Sequence, residues 1–435
     1  MKRYSQYMYS YPHKTAYRFL EGVSWKEAVR ELGRQKAGEK KEKGLYMHIP
    51  FCEQKCGYCN LFSVTGQSEA YMDAYLTAME TQLKAYQRLW EEEGQPPVFD
   101  SLTVGGGTPL LLTEKQLGRL FANTEREVFF SKERDCVIET SPNQTTKEKL
   151  QILKQVGVRR VSIGVQSFQE EELRRLHRSH TAERARKALD WLKEADFPCL
   201  NLDLIYGIPN QSLSSLEDSV RQALAFAPDE IFAYPLYIKR GVWLEGREQM
   251  EEEKAYQQYL LLQELLLAAG YRQDSMRRFV RSREPISFME CGFSDTLSVG
   301  CGGRSYLGNL HVCTPYAVKQ GHCLSILEAY CKEPVKWERP LGYLLSKEEE
   351  KRRYVIKHLL FGVGINREAY QRHFSAAVEE EFPELLSWKK LSYVEESASY
   401  FRLSKRGLSY SDMLGPLLIS QEVREKMEAW RESGL

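Results

Sequence analysis

From Leu45 onward, short runs of apolar and β-branched residues alternate with longer stretches whose apolar positions recur three and four residues apart. The short runs predict strands, the longer stretches predict amphipathic helices, and their regular alternation predicts a parallel sheet of strand-helix units. Six strands are expected, over Leu45–Ile49, Phe99–Val104, Cys136–Glu139, Arg160–Val165, Leu200–Ile205 and Glu230–Leu236. Helices are expected near Ala70–Glu92, Glu114–Arg126, Lys147–Val156, Ala182–Ala195 and Leu216–Phe226, with a long one over Glu251–Ala269 beside the last strand. Six repeats suit an incomplete, TIM-like (β/α)6 barrel with an accessible mouth better than a closed eight-stranded one.

The rest of the chain breaks this rhythm. Residues 1–44 form a leader and linker: an aromatic-rich start, a short helical pattern over Ser24–Leu32, and a polar surface connection over Gly33–Gly44. The barrel occupies residues 45–270, and 271–343 extend and connect it. A second, mainly helical domain is expected over 344–435, opening with Ser346 and Glu349 at capping-box spacing before Tyr354, Val355, His358 and Leu359. Within it, Leu391–Val394 and Tyr400–Leu403 flank a polar turn as a hairpin would, giving a winged-helix-like outline.

Winged helices often bind DNA, but 344–435 carries 15 basic and 15 acidic residues, so a packing or substrate-covering role fits better. Over all 435 residues, 61 Lys and Arg balance 60 acidic side chains, which argues against nucleic acid or an anionic membrane as partner. Met1–Tyr17 interleaves tyrosines with Lys2, Arg3, His13 and Lys14 and lacks the apolar core of a signal peptide. The most apolar stretch, Leu260–Ala269, is interrupted by Gln263 and Glu264 and falls short of the ~20 residues that span a bilayer. A cytoplasmic location follows as the expectation, and there the 10 cysteines serve as metal ligands or buried thiols rather than disulfides.

Three of those cysteines stand together directly after the first predicted strand, in Tyr46-Met-His-Ile-Pro-Phe-Cys52-Glu-Gln-Lys-Cys56-Gly-Tyr58-Cys59. Iron-sulfur clusters are usually held by four thiolates, so three leave one iron open to another ligand. The methionine end of S-adenosylmethionine (SAM) can chelate that iron, and one electron then cleaves the sulfonium to a 5'-deoxyadenosyl radical. The alternative is half of a zinc site. Zinc ligands, however, usually come as two-residue-spaced pairs with a second pair further on, and no such second pair follows.

Further landmarks follow in order: Gly105-Gly-Gly-Thr-Pro, Glu139-Thr-Ser-Pro, Ser162-Ile-Gly-Val-Gln-Ser-Phe and Asp203-Leu-Ile-Tyr-Gly-Ile-Pro. The glycines let backbone approach a ligand, with Thr108 adding a hydroxyl. Glu139, Gln166 and Asp203 fall at strand ends on the side where barrel enzymes gather their chemistry, although each alone reads equally as strand-end capping.

With the cysteine motif, these landmarks make the chain resemble the radical SAM superfamily, specifically the branch of oxygen-independent coproporphyrinogen III oxidase and its related heme chaperones, from Leu45 to beyond Leu403. The resemblance implies a 4Fe-4S cluster on Cys52, Cys56 and Cys59, and one or two SAM molecules. It implies SAM contacts from Tyr46, Gly106, Gly107, Thr108, Glu139, Gln166, Arg178 and Asp203, with Tyr58 against the adenine. Tyr58 could equally shield the cluster from water, Arg178 could be a solvated surface residue, and His48 reads as a hydrogen-bonded core histidine. A tetrapyrrole-like small-molecule substrate and an electron donor such as flavodoxin or ferredoxin are the implied partners.

One departure matters. The oxidase carries a further cysteine two positions beyond its third cluster ligand, where this chain has Leu61. Three activities therefore stand open: tetrapyrrole oxidation, which is favoured, heme transfer as a chaperone, and radical C-methylation. Cys291, Cys301, Cys313, Cys323 and Cys331 show no compact chelating pair, and the glycine-rich run Leu297–Tyr306 is expected near the pocket. His13, His311 and these later cysteines are the candidate heme ligands.

Overall fold

The computed structural model describes residues 3–4, 6–8, 10–34, 42–281 and 294–431; Lys2, Cys291 and most of the connection expected over Gly33–Gly44 lie outside them. All six expected strands form: Lys43–Ile49, Val98–Gly106, Phe129–Thr140, Arg160–Gln166, Cys199–Tyr206 and Glu230–Pro235. They run parallel and lie side by side in chain order. The helices between them agree with expectation to within three residues at either end, from Glu69–Glu93 to Leu213–Ala225.

The alternation of side chains along these strands explains both the core and the cavity. Leu45, Met47, Ile49, Leu102, Val104, Ile138, Val161, Ile163, Leu202 and Ile231 are buried in the main core with the apolar faces of the helices. Their alternate neighbours, among them Thr103, Glu139, Ser162, Asn201, Asp203 and Tyr234, line a cavity instead. TIM barrels fill that interior with branched apolar residues; here the inward face is largely polar and open. Below, Glu230 is fully buried and takes ion pairs from Arg160 at 2.7 Å and from Arg278.

Two expectations are corrected. The parallel part of the sheet has a seventh strand, Asp295–Val299, which pairs with Lys43–Ile49 on its free edge. The rhythm of strand and helix hid it, because an antiparallel strand, Arg304–Leu307, follows it without an intervening helix. The helix Glu252–Ala268 packs on Leu213–Ala225 and on strand Cys199–Tyr206, not beside the last strand. That last edge is covered instead by the antiparallel strand Arg278–Val280. The ends of the 13-stranded sheet are Arg18–Phe19 and Arg272–Gln273, so the barrel stays open.

A second core gathers Tyr343, Val355, Leu359, Tyr370, Trp388, Phe401, Leu414 and Val423, together with Met8, Tyr11, Ala16 and Tyr17 from the leader. Ser346 caps the helix Lys347–Leu359 by accepting from the Glu349 N–H at 3.3 Å, but the Glu349 carboxylate accepts from the Tyr11 hydroxyl rather than closing the capping box. The hairpin pairs Val394–Glu396 with Tyr400–Leu403, and Ile365–Asn366 adds a third strand. Its first arm starts later than expected because Leu391 ends the helix Glu384–Lys390 and Ser392 is left-handed.

The second core is tied to the barrel by a buried ion pair between Arg277 and Asp412. Tyr237, just after the last barrel strand, hydrogen-bonds to both, and the Arg277 guanidinium lies 3.9 Å from the Tyr7 ring centroid. No helix among the described residues is long and apolar enough to cross a membrane.

Candidate metal and cofactor site

The first barrel strand ends at Ile49, and the loop after it carries all three motif cysteines into one cavity of about 980 Å³. Two short parallel strands, Phe51–Cys52 and Val64–Thr65, close the base of this loop. The glycine loop is stitched to it: Gly107 N–H donates to the Ile49 carbonyl and Thr108 N–H to the Phe51 carbonyl, each at 2.8 Å. A Cβ at Gly107 would stand 2.6 Å from the Phe51 oxygen and 2.9 Å from Cys52 Sγ. Gly107→Ala is therefore expected to cost about 1–3 kcal/mol of stability and to lower the iron bound per chain, measured by thermal denaturation and metal analysis.

The thiols feel one another. Burial lifts Cys52 to about 12, and Cys59 and Cys56 add to the rise. Cys59 is raised by burial and then by Cys56. Raised in this way, Cys52 and Cys59 accept negative charge more readily beside a cation, which is what an iron cluster would provide. A single ion does not fit: among the described residues no three His, Cys, Asp or Glu side chains converge on one point. Zinc needs its sulfurs all about 2.3 Å from one centre, whereas a cluster takes each thiolate on a separate iron. Arg178 completes the arrangement, donating to Cys56 Sγ at 2.9 Å and to the Gly164 carbonyl at 2.7 Å; it points inward rather than into solvent.

Opposite the cysteines lie the strand-end polar groups. Glu139 accepts from Gly106 N–H at 3.0 Å, and burial raises its pKa against that bond. Burial pushes Asp203 up to about 7, opposed by the Asn201 amide at 2.9 Å and helped by Glu139. Gln166 is a non-glycine residue at φ 73°, placed there by a bulge between Gly164 and Gln166. A side chain on Gly164 would strike the Gln166 amide at 2.7 Å, so strain and a missing Cβ together aim Gln166 into the cavity. Asn201 Oδ1 is buried without a hydrogen-bond partner, an acceptor suited to a ligand hydroxyl or amine.

Of the expected site residues, Cys52, Cys56, Tyr58, Cys59, Gly106, Gly107, Thr108, Glu139, Gln166, Arg178 and Asp203 all line this cavity, and Tyr46 does not. The Tyr46 hydroxyl is 3.1 Å from His48 Nδ1, while His48 Nε2 is 3.0 Å from the Phe62 carbonyl. A carbonyl only accepts, so Nε2 carries the proton and Tyr46 donates to Nδ1. Burial lowers His48 to about 4, consistent with a neutral core histidine whose ring backs onto Gly106.

Sequence reasoning missed several wall residues. Asn201 sits two residues before Asp203 on the same strand face, so period-two alternation could have found it. Lys239, Arg240, Arg424 and Trp430 enter the wall from elsewhere in the chain, with Tyr7 of the leader, and no local signal marks them; His13, expected as a candidate heme ligand, lines the same wall. His311 lies outside this wall: it is fully buried, with neither ring nitrogen hydrogen-bonded, against Tyr306 at 4.7 Å. Cys301 and Cys323 are buried; Cys313 and Cys331 are half-buried, and none of the four lines the cavity.

Residues 46–223 match the model of the radical SAM superfamily. The chain is 24% identical over 388 residues to the heme chaperone HemW of Haemophilus influenzae, covering 87% of this chain and 98% of the relative. It is 26% identical over 374 residues to the oxygen-independent coproporphyrinogen III oxidase of Synechocystis, covering 81% and 77%. The structure of coproporphyrinogen III oxidase (HemN) from Escherichia coli shares the fold, with a TM-score of 0.77 at 21% identity over 98% of each chain.

Proposed function

The chain belongs to the radical SAM superfamily, in the branch of the oxygen-independent coproporphyrinogen III oxidases and heme chaperones, and on that premise we propose that it is a SAM-cleaving enzyme acting on a tetrapyrrole-like substrate. The observation that supports this reading best is the convergence of Cys52, Cys56 and Cys59, the Gly106–Thr108 loop, Glu139, Gln166 and Asp203 on one cavity. Bound there, a 4Fe-4S cluster supplies the electron that splits SAM to methionine and a 5'-deoxyadenosyl radical.

The protein's own part is to bind, orient and exclude water. The three thiolates hold the cluster, and Arg178 neutralises the Cys56 sulfur. Glu139, Gln166 and Asp203 supply acceptors for the amino and ribose groups of SAM, and Gly106 and Gly107 let the backbone come close. Tyr58 covers the adenine, while Tyr46 acts behind the wall by holding His48 against Gly106. For the substrate, Tyr7, Tyr234, Tyr237 and Trp430 give flat apolar surface, and Lys239, Arg240 and Arg424 give positive charge, a combination suited to a planar macrocycle bearing carboxylates.

A second reading, heme transfer without turnover, is favoured by Leu61 in place of the oxidase's further cysteine and by relatives named as heme chaperones. The test is an anaerobic incubation of the reconstituted, reduced chain with SAM and, in parallel, coproporphyrinogen or heme, followed by identification of the nucleoside and measurement of bound heme. Sustained 5'-deoxyadenosine with loss of propionate carboxyls is the expected result. Stoichiometric heme capture without nucleoside turnover establishes the chaperone reading instead, and S-adenosylhomocysteine establishes methyl transfer.

A further inference from the structure

Behind the cavity wall, Glu172 sits in the short helix Glu170–Arg175 and is 4% exposed. It accepts three hydrogen bonds, all from neutral groups: Ser167 Oγ at 2.6 Å and Gln211 Nε2 at 3.0 Å meet one carboxylate oxygen, and Ser215 Oγ at 2.7 Å meets the other. A carboxylate withdrawn from water is costly unless its lone pairs are taken up, and here three donors from outside its own helix do so.

Those donors stand on three different pieces of the wall. Ser167 directly follows Gln166, the cavity residue at φ 73° with which its strand ends. Its hydroxyl, besides donating to Glu172, accepts from Gln169 N–H at 3.0 Å, so Ser167 is held from both sides. Gln211 lies in the loop after the strand Cys199–Tyr206, which carries Asn201 and Asp203, and its amide also donates to the Ile205 carbonyl at 3.4 Å. Ser215 belongs to the first turn of the helix Leu213–Ala225, a turn with no acidic residue of its own, so the Glu172 carboxylate meets the positive end of that helix.

The other end of the Glu172 helix reaches the cysteine loop. Leu176, its cap, accepts from Gly57 N–H at 2.9 Å. Arg178 N–H donates to the Leu173 carbonyl at 2.9 Å, and its guanidinium extends to Cys56 Sγ. Six residues of helix therefore bridge the ends of two barrel strands and the loop that holds the thiols.

Resting on the SAM reading above, we infer that Glu172 is a positioning residue for SAM: by gripping Ser167 and Gln211 at once, it fixes Gln166 against Asp203 and holds both in register with Cys56 and Arg178. Glu172, Ser167 and Gln211 do not line the cavity, so the carboxylate acts through its neighbours and not on the ligand. The strained backbone of Gln166 is what gives the grip its importance. Freed of the tether, a non-glycine residue relaxes out of the left-handed region and takes its amide away from the cavity.

The test measures SAM affinity by equilibrium dialysis, together with iron content and thermal denaturation, on the anaerobically reconstituted full chain. Glu172→Ala, and Ser167→Ala, which cuts only the arm to Gln166, are each expected to weaken SAM binding about tenfold or more. Iron content should stay at the parent value, because the cysteine loop keeps its own bonds to the glycine loop. Ser215→Ala, which cuts only the arm to the helix, should lower the melting temperature as Ser167→Ala does and leave SAM affinity unchanged. Glu172→Gln should recover most of the affinity lost in Glu172→Ala, since its amide oxygen can still accept from Ser167 and Gln211 while its amide nitrogen donates to Ser215. Parent-like SAM affinity in Ser167→Ala, or an equal loss in Ser215→Ala, would overturn the inference and leave Glu172 a structural contact only. If the parent chain binds no SAM at all, it is the functional reading that fails, so the two failures are distinguishable.

Discussion

Replacing Cys56 with alanine is expected to leave the chain without iron-sulfur absorbance after anaerobic reconstitution, and SAM cleavage at background. Cys52, Cys56 and Cys59 are the only cysteines among the described residues that line the cavity, so no other thiol there can substitute. The variant also strands Arg178, whose guanidinium is buried against Cys56, adding an unpaired charge to the site. Far-ultraviolet circular dichroism should not change, because Cys56 sits in a loop outside every helix and strand. Full iron content and visible absorbance in Cys56→Ala would show the ligand assignment to be wrong.

The second large effect is expected where the two cores meet. Arg277 and Asp412 are buried to within a few per cent, and Tyr237 bonds to both. Breaking such a pair leaves one buried charge uncompensated, and Asp412→Ala is expected to cost about 3–5 kcal/mol, read as a lower denaturant midpoint of the full chain. Replacing both charges by apolar residues of similar size, Arg277→Met with Asp412→Leu, should recover most of the loss, since the gain from a buried pair barely exceeds its desolvation. A single variant as stable as the parent would mean that water reaches the pair.

Much of this molecule was legible in its sequence, for physical reasons that also explain what was not. The strands announce themselves because each alternates a residue that must be buried under a helix with one that faces the cavity; Arg160–Gln166 starts where the pattern starts. The cysteines, glycines and strand-end acids were legible because one local turn or one strand end places each of them. Tyr46 shows the limit: its position on the strand points inward, but where its hydroxyl goes depends on His48, a choice period-two alternation cannot register. Strand Asp295–Val299 was missed because it returns to an edge formed some 250 residues earlier, as its pairing with Lys43–Ile49 requires. The wall built by Tyr7, Lys239 and Trp430 is likewise a product of long-range packing alone.

Met8, Tyr11 and Tyr17 share a core with Leu414 and Val423, and Arg18–Phe19 hydrogen-bonds to Leu341–Leu344. These early and late stretches thus meet across a loop that contains the whole barrel. Such a closure carries a large, slowly growing entropic penalty, so local strand-helix units can condense before it forms. The wall over the cysteine loop, contributed partly by Tyr7, His13 and Trp430, therefore depends on this long closure, whereas the floor built from the strand ends does not.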